Sequence, residues 1–125
     1  MHFVDLPGYG YARAPKAIKQ HFGTMIESYL GNREQLKLAL MLVDSRMAPT
    51  ELDILMKNWL DHHRIPNAVV LTKADKLSRN QLNQALRTGA KTLNTKEIIP
   101  FSAVTNSGKD EILTRIRTAI DHIPQ

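Results

Sequence analysis

Cysteine is absent from the 125 residues, which excludes disulfides and thiolate metal sites and fits a reducing compartment without requiring one. Aromatic residues are scarce, 6% of the chain with a single tryptophan. None interleave with basic residues, and no arginine-rich tract occurs, so positive charge alone does not make an RNA-binding surface here. The longest apolar run, Leu38 to Val43, is far too short to cross a bilayer. Nothing at the start has the charged, apolar and small-residue order of a signal peptide. The cytoplasm is the expected location, with no membrane partner. Linkers, internal repeats and low-complexity tracts are missing too, so one domain is expected.

What remains is the balance of a globular chain: 42% hydrophobic and 23% charged residues, enough to build a core. The formal net charge is +5, mildly concentrated at Arg13, Lys16 and Lys19. Such an excess attracts polyanions such as RNA and is equally common on proteins that bind none.

Four short apolar stretches read as buried strands: Phe3–Val4 running into Asp5, Leu38–Val43 into Asp44, Ala68–Leu71 into Thr72, and Ile98–Ile99 through Pro100 to Phe101. Periodicity alone does not separate such runs from buried helix. Their alternation with amphipathic stretches does. Ile18, Phe22, Met25, Ile26, Tyr29 and Leu30 recur at helical spacing, with Pro15 suited to the first turn and Gly31-Asn32 to the stop. Leu52, Leu55, Met56, Trp59 and Leu60 form a second stripe behind Thr50, which pairs with Asp53 as a capping box with Asp in place of Glu. Leu82, Leu86 and Leu93 mark a third, weakened by Gly89. Ile112, Ile116, Ile120 and Ile123 mark a fourth, with Ser107 as the expected N-cap and Pro124 after the last turn. The βαβαβαβα order implies an α/β fold, a parallel sheet flanked by helices with ligands at the carboxyl edge of the strands.

Every chemistry-bearing motif then follows a strand. In "DLPG", Asp5 can hold a water on a magnesium ion, and Gly8 lets a backbone N–H approach a phosphate oxygen with no Cβ in the way. In "LTKAD", residues 71 to 75, a buried carboxylate just past the strand can accept both donors of the guanine N1–H and N2–H₂ edge. Adenine lacks that edge, and a site built on such bonds discriminates by as much as about 10⁴-fold. Lys73 can lay its aliphatic stem along the base. In "FSAVTNSG", Ser102 and Ala103 are small enough for the backbone to meet a base carbonyl. Taken singly, each motif is also an ordinary strand exit: a Pro-Gly turn, a Lys-Asp pair on a solvated loop, a helix cap. His62-His63 lacks a third ligand, and adjacent helical residues diverge, so a solvated helix end is expected. Asp44 and Arg46 follow a strand on the same rim, which leaves them open to a role.

Together the motifs, in this order, resemble one family. "VDLPGYGYA", "DSRMAPTELDILMKNWL", "LTKADKL" and "FSAVTNSG" resemble the EngB (YihA/YsxC) family of bacterial ribosome-biogenesis GTP-binding proteins, over essentially the whole chain. The Tyr9-Gly10-Tyr11 loop is the family-specific part, and Thr72 in place of the commoner Asn favours the same family. The resemblance implies a P-loop-GTPase-like sheet and a GTP-dependent switch in large-subunit assembly, linked to cell division and septation. It implies GTP or GDP with Mg²⁺ as ligands, a ribosomal subunit or rRNA as partner, and a monomer. Carried over, Asp5, Leu6, Pro7 and Gly8 face magnesium and the γ-phosphate, Asp5 through water. Thr72, Lys73, Ala74 and Asp75 form the guanine pocket, and Phe101, Ser102 and Ala103 close over the base. Tyr9 stands where related enzymes carry a water-orienting glutamine whose paired amide it cannot copy, and no catalytic residue is assigned.

One expected motif is missing. G-x-x-x-x-G-K-[ST], the loop that cradles phosphates, does not occur in the 125 residues. The one Gly-Lys pair, Gly108-Lys109, is followed by Asp110 and reads as a helix N-terminus. The expectation is that residues 1–125 are the C-terminal part of a single EngB-type domain whose first strands and phosphate loop lie upstream. Such a chain alone is expected to be unstable and to bind GTP weakly or not at all. The alternatives are a nucleotide-free remnant that binds RNA or protein and, more distantly, a flavodoxin-like or Rossmann-type enzyme.

Overall fold

The computed structural model describes residues 23, 24, 26 and 37–121. The expected strand at Phe3–Val4, with Asp5, Leu6, Pro7, Gly8 and the Tyr9–Pro15 loop, lies outside the described residues. So does most of the first expected helix, of which Gly23, Thr24 and Ile26 are helical, with Ile26 buried in the core.

The other three strands form where the apolar runs place them. β1 (Ala39–Asp44), β2 (Asn67–Thr72) and β3 (Ile98–Pro100) make a parallel sheet in the order β1-β2-β3. The register sets Asp44 opposite Thr72 and Leu71 opposite Pro100, so the three strands end at one edge. β2 is central and packed on both faces, with Ala68, Val69, Val70 and Leu71 all at most 2% exposed; this is why it reads as an unbroken apolar run. β1 alternates instead. Met41 and Val43 point into the core, whereas Leu42 is 59% exposed.

α1 (Glu51–His62) starts as the sequence implies. The Asp53 N–H donates to Thr50 Oγ1 at 3.2 Å, and the Thr50 N–H donates to Asp53 Oδ2 at 2.8 Å. Asp therefore performs the reciprocal half of the box that Glu usually supplies. Leu52, Met56, Trp59 and Leu60 are buried against Met41, Val43, Val69 and Leu71, each such side chain contributing about 1.5–3 kcal/mol. At its far end Lys57 Nζ donates to both carboxylate oxygens of Asp61, and Asn67 Nδ2 donates to Asp61 and to the Ile65 carbonyl. That network ties α1 to the start of β2. His63 stacks its ring 4.5 Å from that of Trp59.

α2 (Arg79–Thr92) departs from expectation. Gly89 does not interrupt it. A Cβ there would stand 2.9 Å from Ile98 Cδ1, so the glycine makes room for the β3 side chain that packs against the helix. The helix has its own capping box, Ser78 with Gln81, which the sequence reading passed over. α3 (Lys109–Asp121) begins at the Gly-Lys pair. Ser107 is not its cap: the Ile112 N–H donates to the Gly108 carbonyl, which puts Gly108 at that position and Ser107 outside. Gly108 sits at φ +83°, and a Cβ there would fall 2.1 Å from the Pro100 carbonyl oxygen, so only glycine fits. No helix among the described residues is long and apolar enough to cross a membrane.

Candidate functional site

The sheet's carboxyl edge carries the candidate site, and backbone bonds continue past the strands to build it. Beyond β1, the Ser45 N–H donates to the Thr72 carbonyl at 3.0 Å. Thr72 Oγ1 reaches the Val43 carbonyl at 3.4 Å. Lys73 then turns the chain in the left-handed region, φ 58°, and a 3-10 turn over Ala74–Lys76 follows. The Ala74 N–H donates to the Phe101 carbonyl at 3.0 Å, and the Phe101 N–H to the Leu71 carbonyl at 2.8 Å. These two bonds lock the T-K-A-D segment to the loop after β3.

Side chains complete the junction. Ser102 is 1% exposed. Its hydroxyl donates to Asp75 Oδ1 at 2.7 Å and accepts the N–H groups of Val104 at 3.2 Å and Thr105 at 3.1 Å. One donor and two lone pairs are all used. The Ser102 hydrogen bond is the chief cause holding the Asp75 carboxyl below the usual carboxylate range. The Ser102 N–H is committed to the Ser107 carbonyl. Asp75, in the 3-10 turn after β2, is exposed rather than buried as the sequence implies.

A second carboxylate stands across the rim. Asp44 Oδ1 accepts the Arg46 backbone N–H at 3.0 Å and its Nε at 3.1 Å, and Oδ2 accepts Arg46 Nη2 at 2.8 Å. Lys73 Nζ joins Oδ2 at 3.3 Å. This forked contact, Arg46 first, holds the Asp44 carboxyl far below its ordinary value. Both oxygens are thereby occupied, so Asp44 does not fit a magnesium ligand. Among the described residues no group of three or more His, Asp or Glu side chains could hold a metal, and the water-mediated role expected of Asp5 lies outside them.

Thus Thr72, Lys73, Ala74, Asp75, Phe101, Ser102 and Ala103 are brought together, while Asp5, Leu6, Pro7 and Gly8 lie outside the described residues. The sequence reading valued Ser102 for its small size and missed its hydroxyl as the anchor of Asp75. The signal was available: a Ser followed by the Thr-Asn-Ser-Gly turn residues, whose backbone N–H groups need acceptors. A cavity of about 300 Å³ lies nearby, between the Ser45–Pro49 loop and α2. None of the expected guanine-pocket residues lines it.

Known proteins bear on this rim. No family model matches the chain. Curated relatives do match: the probable GTP-binding protein EngB of Levilactobacillus brevis is 46% identical over 115 residues, covering 90% of this chain and 58% of its own length. That of Shouchella clausii is 45% identical over 126 residues, covering 98% of this chain and 62% of its own length. The chain belongs to the EngB family. It spans about three-fifths of the length of these EngB relatives. In structure, a probable GTP-binding protein EngB superimposes with a TM-score of 0.72 at 22% identity, over 94% of this chain and 75% of that one; at that identity the likeness speaks for the fold. The apo elongation factor SelB of Methanococcus maripaludis gives a TM-score of 0.71 at 26% identity, over 97% of this chain and 25% of that one. The same factor bound to a GTP analogue gives 0.58 at 30% identity, over 71% of this chain and 21% of that one. The α/β reading of the sequence stands.

Proposed function

We propose that this chain carries the guanine-reading side of an EngB-type, GTP-dependent molecular switch, with residues 1–125 the C-terminal part of one domain. The single observation that carries the reading is the 2.7 Å bond from Ser102 to Asp75, which joins two sequence-distant motifs into one pocket wall. Asp75, fixed through Oδ1 and open to solvent, accepts the N1–H and N2–H₂ donors of guanine. Lys73 lays its stem along the ring. With the Ser102 N–H already engaged, the Ala103 N–H is the donor offered to the base carbonyl.

On this reading, Asp5 and Gly8 serve the phosphate side, Asp5 through a magnesium-bound water, and Mg²⁺ when bound neutralises phosphate charge. Tyr9 to Pro15 is the segment that distinguishes the GTP and GDP states. Arg13, Lys16 and Lys19 beside it present positive charge to ribosomal RNA during large-subunit assembly, and the family link to division and septation is an indirect effect of that role or a separate one. Hydrolysis of GTP belongs to the intact protein, in the cytoplasm and as a monomer.

Asp75→Asn replaces a carboxylate acceptor by an amide that can also donate. The variant is expected to lose guanosine and gain xanthosine, whose carbonyl replaces the exocyclic amine. Competition between the two nucleosides for wild type and variant checks this. An unchanged preference would remove Asp75 from the pocket. A nucleotide-dependent association with ribosomal subunits separates the switch from a nucleotide-free binding module.

A further inference from the structure

Asp44 belongs to neither guanine-pocket motif, yet it touches the residue on which a base would lie. It ends β1, one strand away from T-K-A-D, and register sets it opposite Thr72. Its Oδ2 accepts Lys73 Nζ at 3.3 Å while Arg46 grips the same carboxylate through three bonds. The Asp44 side chain is 22% exposed, against 54% for Lys73, so the acid is the more buried partner. Lys73 itself has a left-handed backbone, φ 58°.

We infer that Asp44 is a positioning residue of the guanine pocket, holding the Lys73 ammonium toward β1 so that the lysine stem forms a fixed shelf for the base. A free lysine is rich in rotamers, and ordering it on binding costs affinity. Tying its ammonium to a carboxylate that Arg46 already immobilises removes part of that cost before the ligand arrives. The pair also cancels the lysine charge beside an uncharged ring. Arg46 acts one step further back, orienting Asp44 by a planar fork that lysine could not reproduce.

This inference rests on the guanine reading above, and one experiment separates the two. Guanosine and adenosine are titrated into a full-length EngB-type protein carrying residues 1–125 by ligand-observed NMR, with far-UV circular dichroism checking that each variant keeps the wild-type fold. Wild type is expected to prefer guanosine; no preference would sink the guanine reading itself, and with it this one. Given that preference, Asp44→Asn is expected to weaken guanosine about three- to tenfold, the reach of one ordered side chain. Lys73→Met should lose as much, and the double variant no more than Lys73→Met alone. An Asp44→Asn protein that binds guanosine as wild type does would overturn the inference while leaving the guanine reading intact. A loss that adds in full on the Lys73→Met background would overturn it too, since Asp44 would then act by another route. If Asp44→Asn fails to fold, Arg46→Met, which removes the fork that orients Asp44, decides: a loss of guanosine affinity of about three- to tenfold with the fold kept supports the role, and wild-type affinity contradicts it.

Discussion

Two aspartates, Asp44 and Asp53, respond to pH in opposite directions because their surroundings differ. Arg46 and Lys73 lower the Asp44 value, whereas burial of Asp53, with Oδ1 unpartnered among the described residues, raises its own. A lowered folded value gives stability that is full above the ordinary value of 3.8 and lost as pH falls below it. A raised value does the reverse: the Asp53 carboxylate weakens the fold at neutral pH, and protonation relieves it as pH drops. Asp44→Asn is therefore expected to lose less stability than wild type between about pH 5 and 2.5, the window below the unperturbed carboxylate range. Urea midpoints at the two pH values check this; parallel losses would mean that the Arg46 fork does not persist in solution. Asp44 at the end of its strand and Asp53 in the cap of α1 with Thr50 were both legible in the sequence. The Lys73 partner of Asp44 was not, because the two meet across 29 positions, a distance that local pattern cannot bridge.

Glycine shows the same limit at the level of the element. Gly89 looked like a weakness in α2 because its helix propensity is poor, while the real constraint is Ile98, on β3. Gly108 looked like part of a cap run and proves to be the cap itself, pressed on the Pro100 carbonyl. The two glycines are expected to answer differently to alanine. Gly108→Ala meets fixed backbone at positive φ and should cost about 2 kcal/mol or more. Gly89→Ala meets only the end of a movable isoleucine and gains up to about 1 kcal/mol of helix propensity, so it should fall within about 1 kcal/mol of wild type. Chemical denaturation of both variants tests the pair, and equal losses would contradict it. By contrast, α1 was legible in full. Its cap, stripe and end all arise within one turn or one helix, where spacing carries the information.

At the scale of the whole molecule, the three described strands converge their ends, and that convergence was readable from βα alternation alone. What sits beside β1 was not readable in the same way. Leu42 is 59% exposed on β1, which forms one edge of the described sheet. The chain also spans about three-fifths of its EngB relatives. The most direct test is to compare guanosine and adenosine on a full-length EngB-type protein carrying residues 1–125, at equal ionic strength. Guanosine is expected to bind at least about tenfold, some 1.4 kcal/mol, better than adenosine. Adenosine binding as well as guanosine would contradict the pocket.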